Sequence, residues 1–444
     1  MICGQFRGCA ILPFATKSEI GKPIDWGKCS LARRVVVTGM GAITPLGLDL
    51  ETTWNGLVEG KSGIGSITLF DASEHKTKIA GEVKNFNPDN YNIDRKDARR
   101  MDRYALFALA ATKQALDHSG LKIEDNNRNR VGVILGSGIG GIGILSEQFK
   151  ALHEKGPSRV SPFFIPMMIA NMASGMVSIY YGARGTNFCV VSACSTGAHA
   201  IGEAGEIIKR GEADVMIAGG SEAPIVPIAV AGFNSMTALS RNNDNPQKAS
   251  RPFDAKRDGF VMAEGSGVLI LEELEHALER GATIYGELSG YGSTDDASDI
   301  VQPEETGEGA ARAMTLAMER AKLAPEQIDY INAHGTSTQL NEKAETAAIK
   351  RAMGKTAYEV SISSTKSMTG HLLGAAGAFE AIVCLKAINE GIIPPTINYE
   401  FPDPNCDLDV TPNVAKKKPI HHAMSNSFGF GGHNVSVILS KFEN

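Results

Sequence analysis

In the stretch 190–200, VVSACSTGAHA, an apolar run stops at a cysteine, and small residues and glycine follow at once. Free cysteine is a good core residue, so the residue type alone decides nothing. Position says more. Cys194 falls between a strand-like run and a helix-like segment, 196–210. Amides at a helix N-terminus stabilise a thiolate and lower its pKa. Such a turn also lifts the sulfur above a sheet, as the nucleophile elbow does for serine hydrolases. A nucleophilic cysteine needs histidine beside it in space. Two candidates stand at glycine-rich strand ends in the second half, His334 in NAHGTST and His371 in SSTKSMTGH, the latter shortly after Lys366. Cys189 lies within the apolar run and reads as core.

These distant residues need elements that bring them together. From Arg33, short β-branched runs ending in glycine alternate with helix-like stretches. RRVVVTGMGAITPLG, RVGVILGSGIGG (130–141), NFCVVSAC (187–194) and ADVMIAGGSEA (213–223) read as buried strands. Helices are expected at 102–119 and 196–210, the second stopping at Lys209-Arg210-Gly211. The alternation predicts an α/β fold with sheets buried on both faces. The plan then repeats. IYGELSGYGS (284–293) matches the first strand, DYINAHGTST (329–338) the GVILGSG strand, and VSISSTKSMTGHLLGAAGAFEAI (360–382) the cysteine segment. Both halves carry H-x-x-G-x-x-G, from His199 and from His371, and Gly219-Gly220 matches Gly431-Gly432. Matches in one order indicate an internal duplication. The predicted organisation is an N-terminal extension (1–32), a nucleophile-bearing half (33–283) and a histidine-bearing half (284–444), with the site at their junction.

The 444 residues are 43% hydrophobic and 21% charged with a net charge of −6, which fits a globular protein and gives no reason to expect nucleic acid or an anionic membrane. No apolar run reaches the ~18 residues of a spanning helix. Seven cysteines without a CxxC pair suggest neither a zinc site nor a disulfide framework, and they fit a reducing compartment, here the cytoplasm. Residues 1–30 look like neither a secretory signal nor an arginine-rich transit peptide.

ACSTGAHAIGEA, INAHGTST, SSTKSMTGHLLGAAGA and NSFGFGGHN together resemble the β-ketoacyl-acyl carrier protein synthases of the thiolase superfamily, from about Arg33 to Lys441. GSGIGG, with Ile139 where elongating enzymes of type I usually have glycine, is most similar to type II. The resemblance implies a thiolase-like fold, with duplicated βαβ halves in a layered α-β-α-β-α sandwich, and a homodimer. It implies fatty acid chain elongation by decarboxylative Claisen condensation, without metal or other cofactor. The acyl group would pass from the phosphopantetheine of an acyl carrier protein to Cys194, with the amides of Cys194 and Phe430 holding the oxyanion. His334 and His371 would donate to the thioester oxygen of malonyl-acyl carrier protein as it loses carbon dioxide. Lys366 would orient the histidines and help fix their protonation, with Glu345 as its carboxylate partner. Phe428 and Phe430, in FGFGG, would form a gate, and Ile139 would line the acyl pocket at a dimer interface. Lys96, Arg99 and Arg100, spaced as one helical face, would dock the acidic carrier.

Two departures from the family pattern stand out. Gln339-Leu340-Asn341-Glu342 replaces a segment that usually begins with proline and ends with aspartate, which bears on loop detail. His433 stands where many members have threonine and would change contacts to the pantetheine arm. Rivals fit less well. Initiating synthases pair cysteine with histidine and asparagine, thiolases use a second cysteine, and chain-length partner subunits lack the nucleophile. A polyketide-type ketosynthase or a type I elongating synthase is the nearest alternative.

Overall fold

The computed structural model describes residues 33–443, and the predicted extension, 1–32, lies outside them. Its main sheet has ten strands: β1 (Val35–Ile43), β2 (Val131–Gly136), β3 (Asn187–Phe188), β4 (Val215–Glu222), β5 (Gly265–Glu273), β6 (Gly286–Asp295), β7 (Tyr330–Asn332), β8 (Ser361–Ser363), β9 (His422–Gly429) and β10 (His433–Ser440). Five helices frame the site: α1 (Arg103–Ser119), α2 (Thr196–Lys209), α3 (Glu308–Ala321), α4 (Gln339–Met353) and α5 (Ala376–Glu390).

The strand order is β8-β7-β9-β10-β6-β1-β5-β4-β2-β3. Read outward from the middle, β6-β10-β9-β7-β8 repeats β1-β5-β4-β2-β3, so each half builds the same five-stranded mixed sheet. The two sheets are joined only through Val36 opposite Glu287 and Val37 opposite Gly286.

Local sequence explains the packing. β1 is VVVTGMGAI, buried throughout. Its β-branched residues suit a strand covered on both faces, and its glycines admit a helix. α1 begins where Asp102 accepts the Tyr104 amide and ends at Gly120 with φ 62°. A Cβ at Gly39 or Gly41 would stand 2.3 or 2.0 Å from the carbonyl oxygens of Ala115 and Ala111, so glycine alone lets α1 lie this close. Gly290 and Gly292 of β6 make the same approach to Ala317 and Ala313 of α3, at 2.3 and 2.0 Å.

α2 and α5 lie between the sheets, where Ala198, Ala204, Ala378 and Phe379 share one core with Met216 and Leu269 of one sheet and Val435 and Val437 of the other. α1 covers the outer face of the first sheet over Val131, Val133 and Ile217. α3 and α4 cover the outer face of the second over Ile331, Met424 and Ile438. The result is the layered α-β-α-β-α sandwich. α2 and α5 meet reciprocally: a Cβ on Gly197 would lie 2.7 Å from Ala378 N, and one on Gly377 would lie 2.9 Å from Ala198 N.

The register of the duplication differs from the sequence expectation. Ala193 and Leu373 share a left-handed φ, 49° and 48°, and each opens a single 3-10 turn before a central helix. Leu373-Gly374-Ala375 therefore matches Ala193-Cys194-Ser195, and the two H-x-x-G-x-x-G strings are not equivalent. His199 lies inside α2, whereas His371 precedes its turn. Likewise Gly219-Gly220 sit within β4, while Gly431-Gly432 form the tip of the β9–β10 hairpin. The strand expected over 187–194 is Asn187–Phe188 alone. It is the sheet edge and pairs with β2 only at Val133 and Ile134, after which the chain turns toward Cys194.

Candidate active site

Cys194 occupies the 3-10 turn ahead of α2 and is 8% exposed. The left-handed Ala193 before it stores backbone strain of the kind that functional turns retain. His334 follows β7. Its N–H and that of Gly335 donate to Glu345 Oε1 and Oε2 on α4, at 2.7 and 2.8 Å. His371 is tied down by its own N–H, which donates to Val261 O at 2.7 Å. The pseudo-symmetric packing of the halves brings all three together. Cys194 Sγ and one nitrogen from each histidine lie within 4.8 Å of one another, all buried. The two imidazoles meet edge to face at 5.4 Å.

Hydrogen bonding assigns a tautomer. His371 Nδ1 accepts the Leu373 N–H at 3.3 Å, so the neutral ring carries its proton on Nε2, which is buried without a protein partner. Cysteine with two histidines is also a zinc donor set. A metal-bound histidine, however, donates its remote N–H to an acceptor, and His371 Nδ1 instead faces a backbone N–H. The arrangement suits donation from Nε2 to a substrate oxygen.

Lys366, at the start of the helical turn Lys366–Thr369, is 1% exposed and hydrogen-bonds Glu380 on α5, itself 2% exposed. Glu345 is therefore not the lysine's bonded partner, as the resemblance implied. Both of its oxygens are taken by the His334 and Gly335 amides, and its task is to hold that loop. Burial and the neighbouring lysine hold His334 and His371 well below the ordinary imidazole value, which keeps both neutral. Burial lifts Glu380 to about 7, with Lys366 pulling the other way.

The thiol differs from expectation. Burial pushes Cys194 up to about 12, with Lys366 opposing. The sulfur is largely buried at the cavity wall, and desolvation penalises a thiolate there more than the turn stabilises it.

A cavity of about 530 Å³ opens onto the trio, its wall including Ile139, Phe233, Phe260, Leu340, Phe428 and Phe430. The Phe430 ring lies 6.4 Å from that of Phe233, and Phe428 lies 5.7 Å from His334. A Cβ at Gly429 would approach Ser192 O to 2.7 Å and Cys194 N to 3.2 Å, so glycine brings the hairpin against the cysteine turn. Among the described residues neither the Cys194 nor the Phe430 N–H donates to a backbone acceptor, which leaves both available to an oxygen bound there. Ile139 is 37% exposed, at the cavity wall rather than beneath it.

Three further expectations need revision. His433 is not in the cavity wall, although Gly432 and Asn434 are; strand alternation turns its ring to Asp295, 3.4 Å away. Gln339, Leu340 and Asn341 do line the cavity, so the departure in that segment reaches the binding wall. Lys96, Arg99 and Arg100 do not share one continuous helix. A single turn, Arg95–Ala98, is capped by Asp94, and Arg99 already terminates it. Asp94 and Asp102 direct their carboxylates to the amides of Lys96 and Ile144, and all three basic residues are exposed. Arg100 lies over the Phe163 ring, 4.7 Å from its centroid. Sequence reading missed Glu380. The available signal was a lone acid in AGAFEAIVCL, since a charge in a helix apolar all round needs a partner.

Comparison with known proteins agrees with this architecture. The Beta-ketoacyl synthase N-terminal domain matches residues 32–277, and its C-terminal domain matches residues 285–400. A 3-oxoacyl-[acyl-carrier-protein] synthase 2 of Synechocystis is 54% identical over 93% of this chain and 99% of its own. One from Staphylococcus aureus is 51% identical over the same shares. Among solved structures, a beta-ketoacyl synthase from Burkholderia phymatum superposes with a TM-score of 0.85 at 36% identity, covering 93% of this chain and all of that one. A type II PKS acyl-carrier protein in complex with its ketosynthase gives the same values. With nearly its whole length matched and the two halves aligned in order, this chain belongs to the beta-ketoacyl synthase family.

Proposed function

We propose that this chain elongates fatty acids as a 3-oxoacyl-[acyl-carrier-protein] synthase of type II. The observation that carries the reading is the buried trio, one thiol with two neutral histidines at the junction of the halves. In the first half-reaction Cys194 Sγ attacks an acyl thioester on a carrier protein's pantetheine. The thiol proton leaves with the departing pantetheine sulfur, and no standing thiolate is required. The Cys194 and Phe430 amides hold the oxyanion, where such donors contribute about 3–4 kcal/mol each. In the second, malonyl-carrier protein loses carbon dioxide. His371 Nε2–H and His334 donate to its thioester oxygen as the enolate forms. The enolate carbon bonds to the acyl carbonyl carbon, the carbon–sulfur bond to Cys194 breaks, and the departing sulfur takes up one proton from solvent through the open cavity.

Lys366 acts through the histidines, Phe428 and Phe430 as the gate, Ile139 on the acyl chain, and Lys96, Arg99 and Arg100 on the carrier. Two copies associate through the edge strand β3, beside which Phe188 and Val191 stand 39% and 56% exposed. No helix among the described residues is long and apolar enough to cross a membrane, and the four described cysteines are free, which suits a cytoplasmic setting. The polyketide-type alternative ranks second, because the polyketide ketosynthase is 36% identical where the synthases named above reach 51–54%.

Mass spectrometry after incubation with acyl-carrier proteins of several chain lengths tests the reading. The acyl group should appear on Cys194, and Cys194→Ala should fold yet neither acylate nor condense. An active Cys194→Ala variant carrying the adduct on Cys189, or exclusive use of acyl-coenzyme A, would overturn it.

A further inference from the structure

Glu222 ends β4 and has no exposure to solvent, and the reaction outlined above does not use it. Its two oxygens meet four neutral donors. Oε1 accepts from Ser137 Oγ at 2.7 Å and Ile139 N at 3.2 Å. Oε2 accepts from Gly138 N at 2.7 Å and Gly374 N at 3.0 Å. A carboxylate, which accepts at both oxygens, suits that set, three of whose members are backbone N–H groups that can only donate; those donors oppose the upward pull of burial on the Glu222 carboxyl.

The donors come from two segments. One follows β2 and carries Ile139 into the cavity wall. The other adjoins Leu373, whose N–H fixes the tautomer of His371. A single oxygen, Oε2, bridges them. Both segments are glycine where they touch it, since a Cβ at Gly138 would lie 2.9 Å and one at Gly374 2.5 Å from Oε2. Glu222 itself is not in the cavity wall.

We propose that Glu222 is a positioning residue for both half-reactions, setting the acyl-pocket wall at Ile139 and the orientation of His371 through the Leu373–Gly374 turn. The proposal rests on the condensing activity inferred above. Replacing a carboxylate by an amide keeps the volume but leaves one oxygen and an NH₂ group against four donors, so at least two lose their acceptor. Ser137→Ala is the discriminating partner, because it removes one donor from Oε1 and leaves the Oε2–Gly374 bond in place.

Wild type, Glu222→Gln and Ser137→Ala are compared by thermal melting, by Cys194 acylation across carrier-bound donors of several lengths, and by carbon dioxide release from malonyl-carrier protein. Folded Glu222→Gln should re-rank the donors and slow carbon dioxide release by about tenfold. Ser137→Ala should re-rank donors while keeping release within about twofold of wild type, a change near the size of an ordinary surface effect. The proposal fails if folded Glu222→Gln keeps both the wild-type ranking and the wild-type release. It also fails if Ser137→Ala slows release as much as Glu222→Gln does. Should Glu222→Gln not fold, the split between ranking and release in Ser137→Ala decides alone. A wild-type protein that never acylates Cys194 would instead overturn the condensing reading, a result distinct from either.

Discussion

Lys366 and Glu380 form a hydrogen-bonded ion pair with almost no contact with water, 1% and 2% exposed. Lys366→Met leaves Glu380 buried without its partner, to be held as a carboxylate or neutralised by a proton, and breaking a buried pair from one side costs up to about 3–5 kcal/mol. A folded protein has only about 5–15 kcal/mol in total, so the single variant should be visibly unstable. Lys366→Met with Glu380→Leu should recover most of the loss, because a buried pair and a well-packed apolar replacement differ little in stability. That double variant isolates the chemistry. In the wild type, burial and Lys366 together hold His334 and His371 well below the ordinary value. Burial persists in the double variant and the like-charge repulsion does not; a nearby charge moves a group by about one to three pH units. With the cation gone the imidazoles protonate at higher pH. An imidazolium would hold the malonyl carboxylate as an ion pair and oppose its loss. The acid limb of carbon dioxide release should therefore move upward by about one pH unit or more. The assay is release from malonyl-carrier protein followed down to about pH 4 and up to about 8.5, so that the acid limb of both proteins is covered, with urea unfolding of all three proteins alongside. A folded double variant whose profile superimposes on the wild type would refute the role given to Lys366.

Three further outcomes are expected. Ile139→Phe removes room for about one methylene, about 0.8 kcal/mol or fourfold against long donors relative to short ones; an unchanged length profile would mean that residue 139 does not face the acyl chain. Arg99→Glu with Arg100→Glu should raise KM for acyl-carrier protein, less so as salt rises, and spare a small pantetheine thioester; equal losses on both substrates would count against docking there. His199, hydrogen-bonded to Ser192 and Ser293, is held at about 4 by burial and by nearby His433. A histidine with a depressed folded pKa adds stability above its unfolded value and loses it as pH falls. Between pH 7 and 5 that loss is about 2 kcal/mol, so His199→Gln should show a pH dependence flatter by this amount in urea unfolding. Parallel curves for the two proteins would exclude the linkage.

The trio was legible in sequence because each member stands in a glycine-rich segment after a strand-like run, although only His334 follows its strand closely; Phe188 ends the strand before Cys194, and a helical turn separates Ser363 from His371. The layered fold was legible for the same reason, through repeated strand patterns. The register of the repeat was not. It is set by backbone features that residue letters do not show, namely the left-handed turns at Ala193 and Leu373 and the reciprocal seating of Gly197 and Gly377. Two histidine–glycine strings that looked equivalent therefore land at different places in the fold. The lysine's partner was hidden for a related reason. Glu345 and Glu380 are both buried acids near Lys366; Glu345 accepts from two backbone amides and from Asn341, and Glu380 is the one hydrogen-bonded to the ammonium.

The thiol was misjudged because a helix N-terminus was weighed without the surrounding solvent. Pushed up to about 12, the Cys194 thiol is held as the neutral form near neutral pH, which suits passage of its proton to the departing pantetheine sulfur during acyl transfer. The burial responsible for this has a second effect. Donors held among buried groups stabilise developing charge more strongly than the same donors in bulk water. The Cys194 and Phe430 amides and the His371 Nε2–H are such donors, held without competing partners before any substrate arrives. Burial thus withholds a ready-made nucleophile and strengthens the groups that stabilise both the tetrahedral oxyanion and the enolate. It also keeps the histidines neutral, the state in which His371 carries its proton on the nitrogen without a protein partner.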